Sequence, residues 1–208
     1  MRGSFFSRLL SFATVSAALA AAVLPAASAA AQGRVPNGIP DRITAAVSSS
    51  RMAAIPGSVS PRALQATDLG PLPADTVLSG MSLRFTPSAA QQAAIDQLLA
   101  DQQDPASPLY HQWLTPQQYA TQFGLSSADL AKITAWLAAQ GFTVAGVANG
   151  GTFVTFSGSV AQVQTAFATS IHRLSLNGET HFANVTGVSV PSAFAGVVGA
   201  VTGCTTSA

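Results

Sequence analysis

Between Val77 and Leu176 the apolar residues switch from a period of two to a helical period and back, and the order of the switches leaves few folds open. Val77, Met81, Leu83 and Phe85 share one face of a half-buried strand. Thr86 followed by Pro87 then opens a helix, a capping residue with proline at the first helical position. In it Ala90, Ala94, Ile95, Leu98 and Leu99 recur at helical spacing as far as Asp101. Asp104-Pro105 and Ser107-Pro108 stop that helix, because a residue before proline disfavours helical backbone. Thr115-Pro116 repeats the start signal for a short helix through Tyr119 and Phe123, closed by Gly124. Ser126, with Asp129 three residues on, caps a third helix whose stripe is Leu130, Ile133, Trp136 and Leu137, ended by Gly141.

The next segments are strands. Phe142 to Val147 and Thr152 to Phe156 flank Asn149-Gly150-Gly151, a strong hairpin signal. Ser159 to Thr169 predicts a helix with Val160, Val163, Ala166 and Phe167 inward. A strand from Ile171 to Leu176 turns at Asn177-Gly178 into a short strand from Thr180 to Ala183. Pro191 to Val198 reads as one short helix, with a last strand residue at Val201. The order is β-α-β-β-α-β. It predicts an α+β domain with a ferredoxin-like antiparallel sheet and helices packed on one face. The other face is left for solvent or a partner.

Charge and composition narrow the function. Arg2 and Arg8, an uncharged apolar run from Leu9 to Leu24, and the small residues Ala26 to Ala31 form the three-part pattern of a secretory signal peptide, placed at 1–29. The apolar run is shorter than the ~20 residues that span a bilayer. Signal removal takes two of the nine basic residues and leaves seven against eight acidic ones, a net charge of −1. No basic field remains to hold nucleic acid or an anionic membrane. A secreted or periplasmic location is expected. Residues 30–72 read as a Pro/Ala/Ser-rich leader, partly disordered, in which no period persists. Cys204 is the single cysteine and makes no internal disulfide; it reads as an unpaired thiol in a tail.

Four features in order carry a family resemblance. They are the strand Leu78 to Phe85; the stretch Asp104-Pro-Ala-Ser-Pro-Leu-Tyr-His-Gln-Trp-Leu-Thr-Pro116 followed by Tyr119 and Phe123-Gly124; Trp136-Leu137 leading to Gly141-Phe142; and Phe156-Ser-Gly158 leading to Val163, Phe167 and Ile171. Over residues 73–203 the chain resembles the pro-kumamolisin activation domain, the propeptide of the sedolisin family of serine-carboxyl peptidases. The resemblance implies a domain that folds first, helps its peptidase fold, and blocks the active-site cleft until acid triggers self-cleavage. The implied partner is a sedolisin-like peptidase domain, in cis or in trans. The alternative is a stand-alone secreted inhibitor or binding protein acting in trans.

The family's catalytic residues find no place in this chain. Its Ser nucleophile stands in a Gly-Thr-Ser setting, whereas Gly151-Thr152 is followed by Phe153. Glu179, the one Glu, has no Asp four residues along. A nucleophile needs a base within hydrogen-bond reach, and calcium needs about six to eight oxygen ligands. The expectation is therefore no catalytic residue, no metal ligand and no cofactor, with calcium confined to an absent peptidase domain for which 204–208 would begin the linker.

The residues to follow are those of the motif loop, structural or interfacial in role: Asp104, Pro105, Ser107, Pro108, Tyr110, Trp113 and Leu114. Tyr110, Trp113, Tyr119 and Phe123 are expected to pack this loop onto the core. Asp101 and Asp104 read as helix-end and pre-proline caps. His111, His172 and His181 sit in three separate elements without metal-ligand spacing; they read as hydrogen-bonded histidines and candidate acid sensors.

Overall fold

The structure is a computed structural model and describes residues 38–204. The expected signal peptide, the first residues of the leader and residues 205–208 lie outside the described residues. In chain order the elements are β1 (Met52–Ala54), α1 (Pro61–Gln65), β2 (Thr67–Pro71), β3 (Val77–Phe85), α2 (Ala89–Gln103), α3 (Pro116–Phe123) and α4 (Ser127–Ala139). There follow β4 (Thr143–Val147), β5 (Phe153–Ser159), α5 (Val160–Phe167), β6 (Ile171–Leu176), β7 (Glu179–Asn184), β8 (Ser189–Pro191), a 3-10 turn (Ser192–Phe194) and β9 (Val198–Thr202).

The fold is α+β. Three antiparallel sheets form among the described residues: β4-β5-β3-β9, β2-β6-β7 and the pair β1-β8. The order of the four-stranded sheet is compatible with the ferredoxin-like arrangement, but its fourth strand is not the segment expected. Ile171 to Leu176 pairs instead with β2 and β7. The Asn177-Gly178 turn, with φ of 55° and 85°, folds β7 straight back on β6. The fourth place goes to β9, because Pro191 to Val198 is not one helix. Only Ser192–Phe194 coils, Gly196 at φ 75° reverses the chain, and Val198 onward pairs with β3.

The core lies between this sheet and two helices. Met81 and Leu83 of β3, and Val154 and Phe156 of β5, are fully buried against Ile133 and Leu137 of α4 and Val160, Val163 and Phe167 of α5. Trp136 meets Phe167 and Phe194 edge-on at 5.5 and 5.6 Å, and Phe142 meets Phe156 at 5.0 Å. Each such side chain contributes about 1.5–3 kcal/mol by leaving water. Reciprocal capping boxes start α2 (Ser88 with Gln91), α3 (Thr115 with Gln118) and α5 (Ser159 with Gln162). The cap of α2 is thus Ser88, two residues beyond the expected Thr86.

Two expectations need correction. Residues 38–72 carry β1, α1 and β2, and Ile43 is fully buried in the core. The backbone N–H groups of Arg42 and Ile43 donate to the Asp129 carboxylate at 2.6 and 3.0 Å, and Lys132 Nζ donates to the Ile43 carbonyl. The Arg42 guanidinium donates to the carbonyls of Thr86 and Gly196. Strands of three and five residues, paired with partners more than a hundred positions away, leave no local period to read. The second concerns the helices packed on one face: in α2 none of the apolar residues at helical spacing is buried, Ile95 and Leu98 being half-buried and Leu99 keeping 47% of its surface in water, and Gln102 is its buried residue.

Candidate functional site

The motif loop is built from local bonds. Asp104 ends α2, and its Oδ1 accepts from the Ala106 N–H at 2.9 Å. Ser107 Oγ accepts from the Leu109 N–H at 3.1 Å, and successive turns link Asp104, Ser107 and Tyr110 through the backbone. Pro105 and Pro108 fix φ between these turns, and Gln112 Nε2 donates back to the Pro108 carbonyl at 2.7 Å. Gln102, 3% exposed, fastens the loop to α2: its carbonyl accepts from the His111 N–H at 3.0 Å and its side chain donates to the Gln112 carbonyl. His111 is held at φ 55°, the left-handed region that costs a side-chain-bearing residue energy.

The result is an outward-facing aromatic column. The Tyr110 and His111 rings stack at 3.8 Å and 21°, and His111 and Trp113 lie 6.0 Å apart at 23°. Tyr110 is 39% exposed and Trp113 64%, against the expectation that they pack the loop onto the core. The N–H groups of Ala106, Ser107, Leu109, Tyr110, His111 and Gln112 find acceptors within the loop or on Gln102, so the turns are held without the aromatic side chains. Leu114 is half-buried, and Tyr119 and Phe123 form a half-buried pair at 5.2 Å.

The three histidines are not brought together. His111 stands in the column. His172 Nδ1 meets both oxygens of Asp68 at 3.0 and 2.8 Å, joining β6 to β2. His181 Nε2 stands 3.5 Å from Glu179 Oε2. The β6-β7 register sets His172 opposite Ala183 and Leu174 opposite His181, so both His–carboxylate pairs share one sheet face. The N–H of Gly70, followed by His172, holds the Asp68 carboxyl below the usual carboxylate range. Among the described residues, no three His, Cys, Asp or Glu side chains converge on one point.

The four-stranded sheet turns one face outward. Met81, Leu83, Val154 and Phe156 point inward, so Ser82, Arg84, Phe153, Thr155 and Ser157 point away, and none of these five is buried. Arg84 lies over the Phe153 ring at 5.4 Å. Ser82, Thr155 and Ser157 add small hydroxyl side chains to this face beside the Arg84–Phe153 pair.

Cys204 does not stand free in a tail. It is 2% exposed, and it lines a cleft of about 280 Å³ between residues 55–60 and 199–204. Burial pushes its thiol up to about 11, which makes it a poor nucleophile. Asn184, first residue of an Asn-Val-Thr sequence, is 3% exposed and donates to the Ser58 and Thr186 carbonyls. The contacts that sequence reasoning missed are those of Arg42 and Asp129. The one signal was Asp129 in the first turn of α4, read as a helix-end charge and used also as a clamp for the distant Arg42-Ile43 backbone.

Among the described residues the site thus comprises an antiparallel sheet with an open face, an outward aromatic loop and a core of two helices. The family model for the pro-kumamolisin activation domain matches residues 64–207, and the chain belongs to this family. It is 34% identical over 110 residues to xanthomonalisin of Xanthomonas sp. (strain T-22), a span of 53% of this chain and 13% of that protein. It is 29% identical over 112 residues to sedolisin of Pseudomonas sp. (strain 101), 54% of this chain and 19% of that protein. Both relatives are sedolisin-family peptidases, and the chain spans less than a fifth of either.

Proposed function

We propose that this chain is the inhibitory and chaperoning propeptide of a secreted, acid-acting serine-carboxyl endopeptidase, removed by self-cleavage and without peptidase activity of its own. The observation that carries the reading is the family match over residues 64–207, a match to the activation domain. The outward face of the four-stranded sheet supports a docking role, since its helices cover only the inner face. The targeting pattern at residues 1–29 supports export, and no helix among the described residues is long and apolar enough to cross a membrane. Calcium and the catalytic residues belong in this reading to the peptidase domain, with which the propeptide associates in cis or in trans.

Acid release follows from ordinary linkage. A propeptide carboxylate that pairs with a peptidase cation has its pKa depressed in the complex. Its contribution to binding is present above the free pKa and is lost as pH falls through the bound one. The test is the inhibition constant of residues 30–208 against the mature peptidase of xanthomonalisin at pH 7 and pH 4. Inhibition at pH 7 that weakens at pH 4 is expected. Equal inhibition at both removes the acid switch, and none at either removes the propeptide reading.

A further inference from the structure

We propose that the Tyr110-His111-Trp113 column is a second docking surface, separate from the open sheet face, that takes an Arg- or Lys-bearing patch of the peptidase domain. The inference rests on the propeptide reading and adds to it the surface and the chemistry of the contact.

Three observations carry it. The first is exposure without structural need. Tyr110 and Trp113 present 39% and 64% of their surface to water, and Leu109 and Leu99 present 37% and 47% beside them in sequence or one turn before Gln102. The second is preorganisation. The rings are held near parallel, the loop is closed by its own turns, and buried Gln102 locks it to α2. A surface already ordered loses little conformational freedom on binding, and Trp and Tyr are the side chains that most often carry binding energy.

The third observation is charge. From Thr86 to Ala131 the chain has four Asp and no Lys or Arg. Asp129 is engaged with the Arg42 and Ile43 N–H groups and with Lys132. Asp96 accepts from Gln92, Asp101 from Gln97, and Asp104 from a backbone N–H. These three carboxylates are fixed by uncharged donors, so their charge is left for a partner. Aromatic faces attract cations, best of all guanidinium over indole. A segment that carries these rings together with unneutralised carboxylates, and no Lys or Arg, therefore fits a cationic protein surface and repels a nucleic acid or an anionic bilayer.

The experiment uses the full chain after signal removal and the mature peptidase of xanthomonalisin at pH 7. Trp113→Ala, Tyr110→Ala and the double variant are compared with Trp113→Phe, each with its melting temperature. The triple variant Asp96→Asn, Asp101→Asn, Asp104→Asn is measured at low and high salt. The inference expects unchanged melting temperatures, inhibition weakened about tenfold or more by either alanine, and partial recovery with Trp113→Phe. It also expects the triple variant to lose most of the salt dependence. Wild-type inhibition that Trp113→Ala leaves intact overturns this surface while the propeptide reading stands. No wild-type inhibition overturns both. A Trp113→Ala chain that loses inhibition only because it melts many degrees lower makes the residue structural and overturns the assignment. A wild-type dimer that dissolves on Trp113→Ala makes a second copy the occupant instead.

Discussion

The two halves of the helical layer use the same kinds of residue to opposite ends. In α4 and α5, Ile133, Trp136, Leu137, Val160, Val163 and Phe167 are buried against the sheet, and burial holds the helices in place. In α2, the motif loop and α3, Leu99, Leu109, Tyr110 and Trp113 stay exposed and the other large apolar residues are only half-buried, while capping boxes, side-chain turns and Gln102 hold the shape. One half is stabilised by what it hides and the other by local hydrogen bonds. A segment that folds without spending its aromatics on the core has them free for a partner.

The largest effect that would break this contrast is in the buried half. Phe167→Ala removes a ring in contact with Trp136, Phe142 and Phe156, and is expected to cost about 3–5 kcal/mol in denaturant unfolding. A loss below about 1 kcal/mol would show that the ring cluster is not the centre of the fold. Asp129→Ala comes next, at about 3 kcal/mol, since it strands two backbone N–H groups and leaves Lys132 without its carboxylate. Protease digestion should then cut within residues 38–47 before the rest. A chain that stays resistant there would show that Ile43 alone seats the segment.

How much of this was legible in the sequence follows the same contrast. β5, α4 and α5 declared themselves because burial imposes a period, and Phe156, Val163 and Phe167 sit where that period put them. In β3 the period holds for Met81 and Leu83 but not for Val77, which is 67% exposed, because the register shift between Leu78 and Met81 buries Leu78 instead. Turn chemistry was legible too: Asn177-Gly178 and the caps at Thr115, Ser126 and Ser159 act as their residue types require. What periodicity could not give was the partner of each strand. β6 looked like the fourth strand of the main sheet, and only the register shows it bound to β2 and β7. Nor could it tell a buried aromatic from an exposed one in the motif loop, since Trp113 lies outside any repeating element. The segment before β2 was opaque because its anchors, Arg42 and Asp129, act over 87 positions.

Smaller effects sharpen the contrast in the exposed half. Gln102→Ala removes the side-chain bond to the Gln112 carbonyl, while the His111 N–H keeps the backbone carbonyl of residue 102; the change is expected to cost about 1–2 kcal/mol in denaturant unfolding. Trp113→Ala is expected to change stability by less than about 0.5 kcal/mol, the range of exposed sites. A cost near that of Phe167→Ala would erase the difference between the halves.

The smallest effect concerns acid and a pair that belongs to neither half. Asp68 and His172 tie β2 to β6 on the protein surface, beside the Glu179–His181 pair on the same face, with Arg173 next in sequence. The Asp68 carboxyl is held low by the Gly70 N–H and by His172. A carboxyl with a depressed folded pKa adds stability that is present above its unfolded value, about 4, and is lost as pH falls through the folded one. The clasp should therefore hold at neutral and mildly acidic pH and loosen only in strong acid. Asp68→Asn keeps the shape and removes the titration. The expected outcome is a melting temperature slightly below wild type at pH 5 and equal to it near pH 2. A variant that tracks wild type across the whole range would show that β2 is held by its backbone ladder alone.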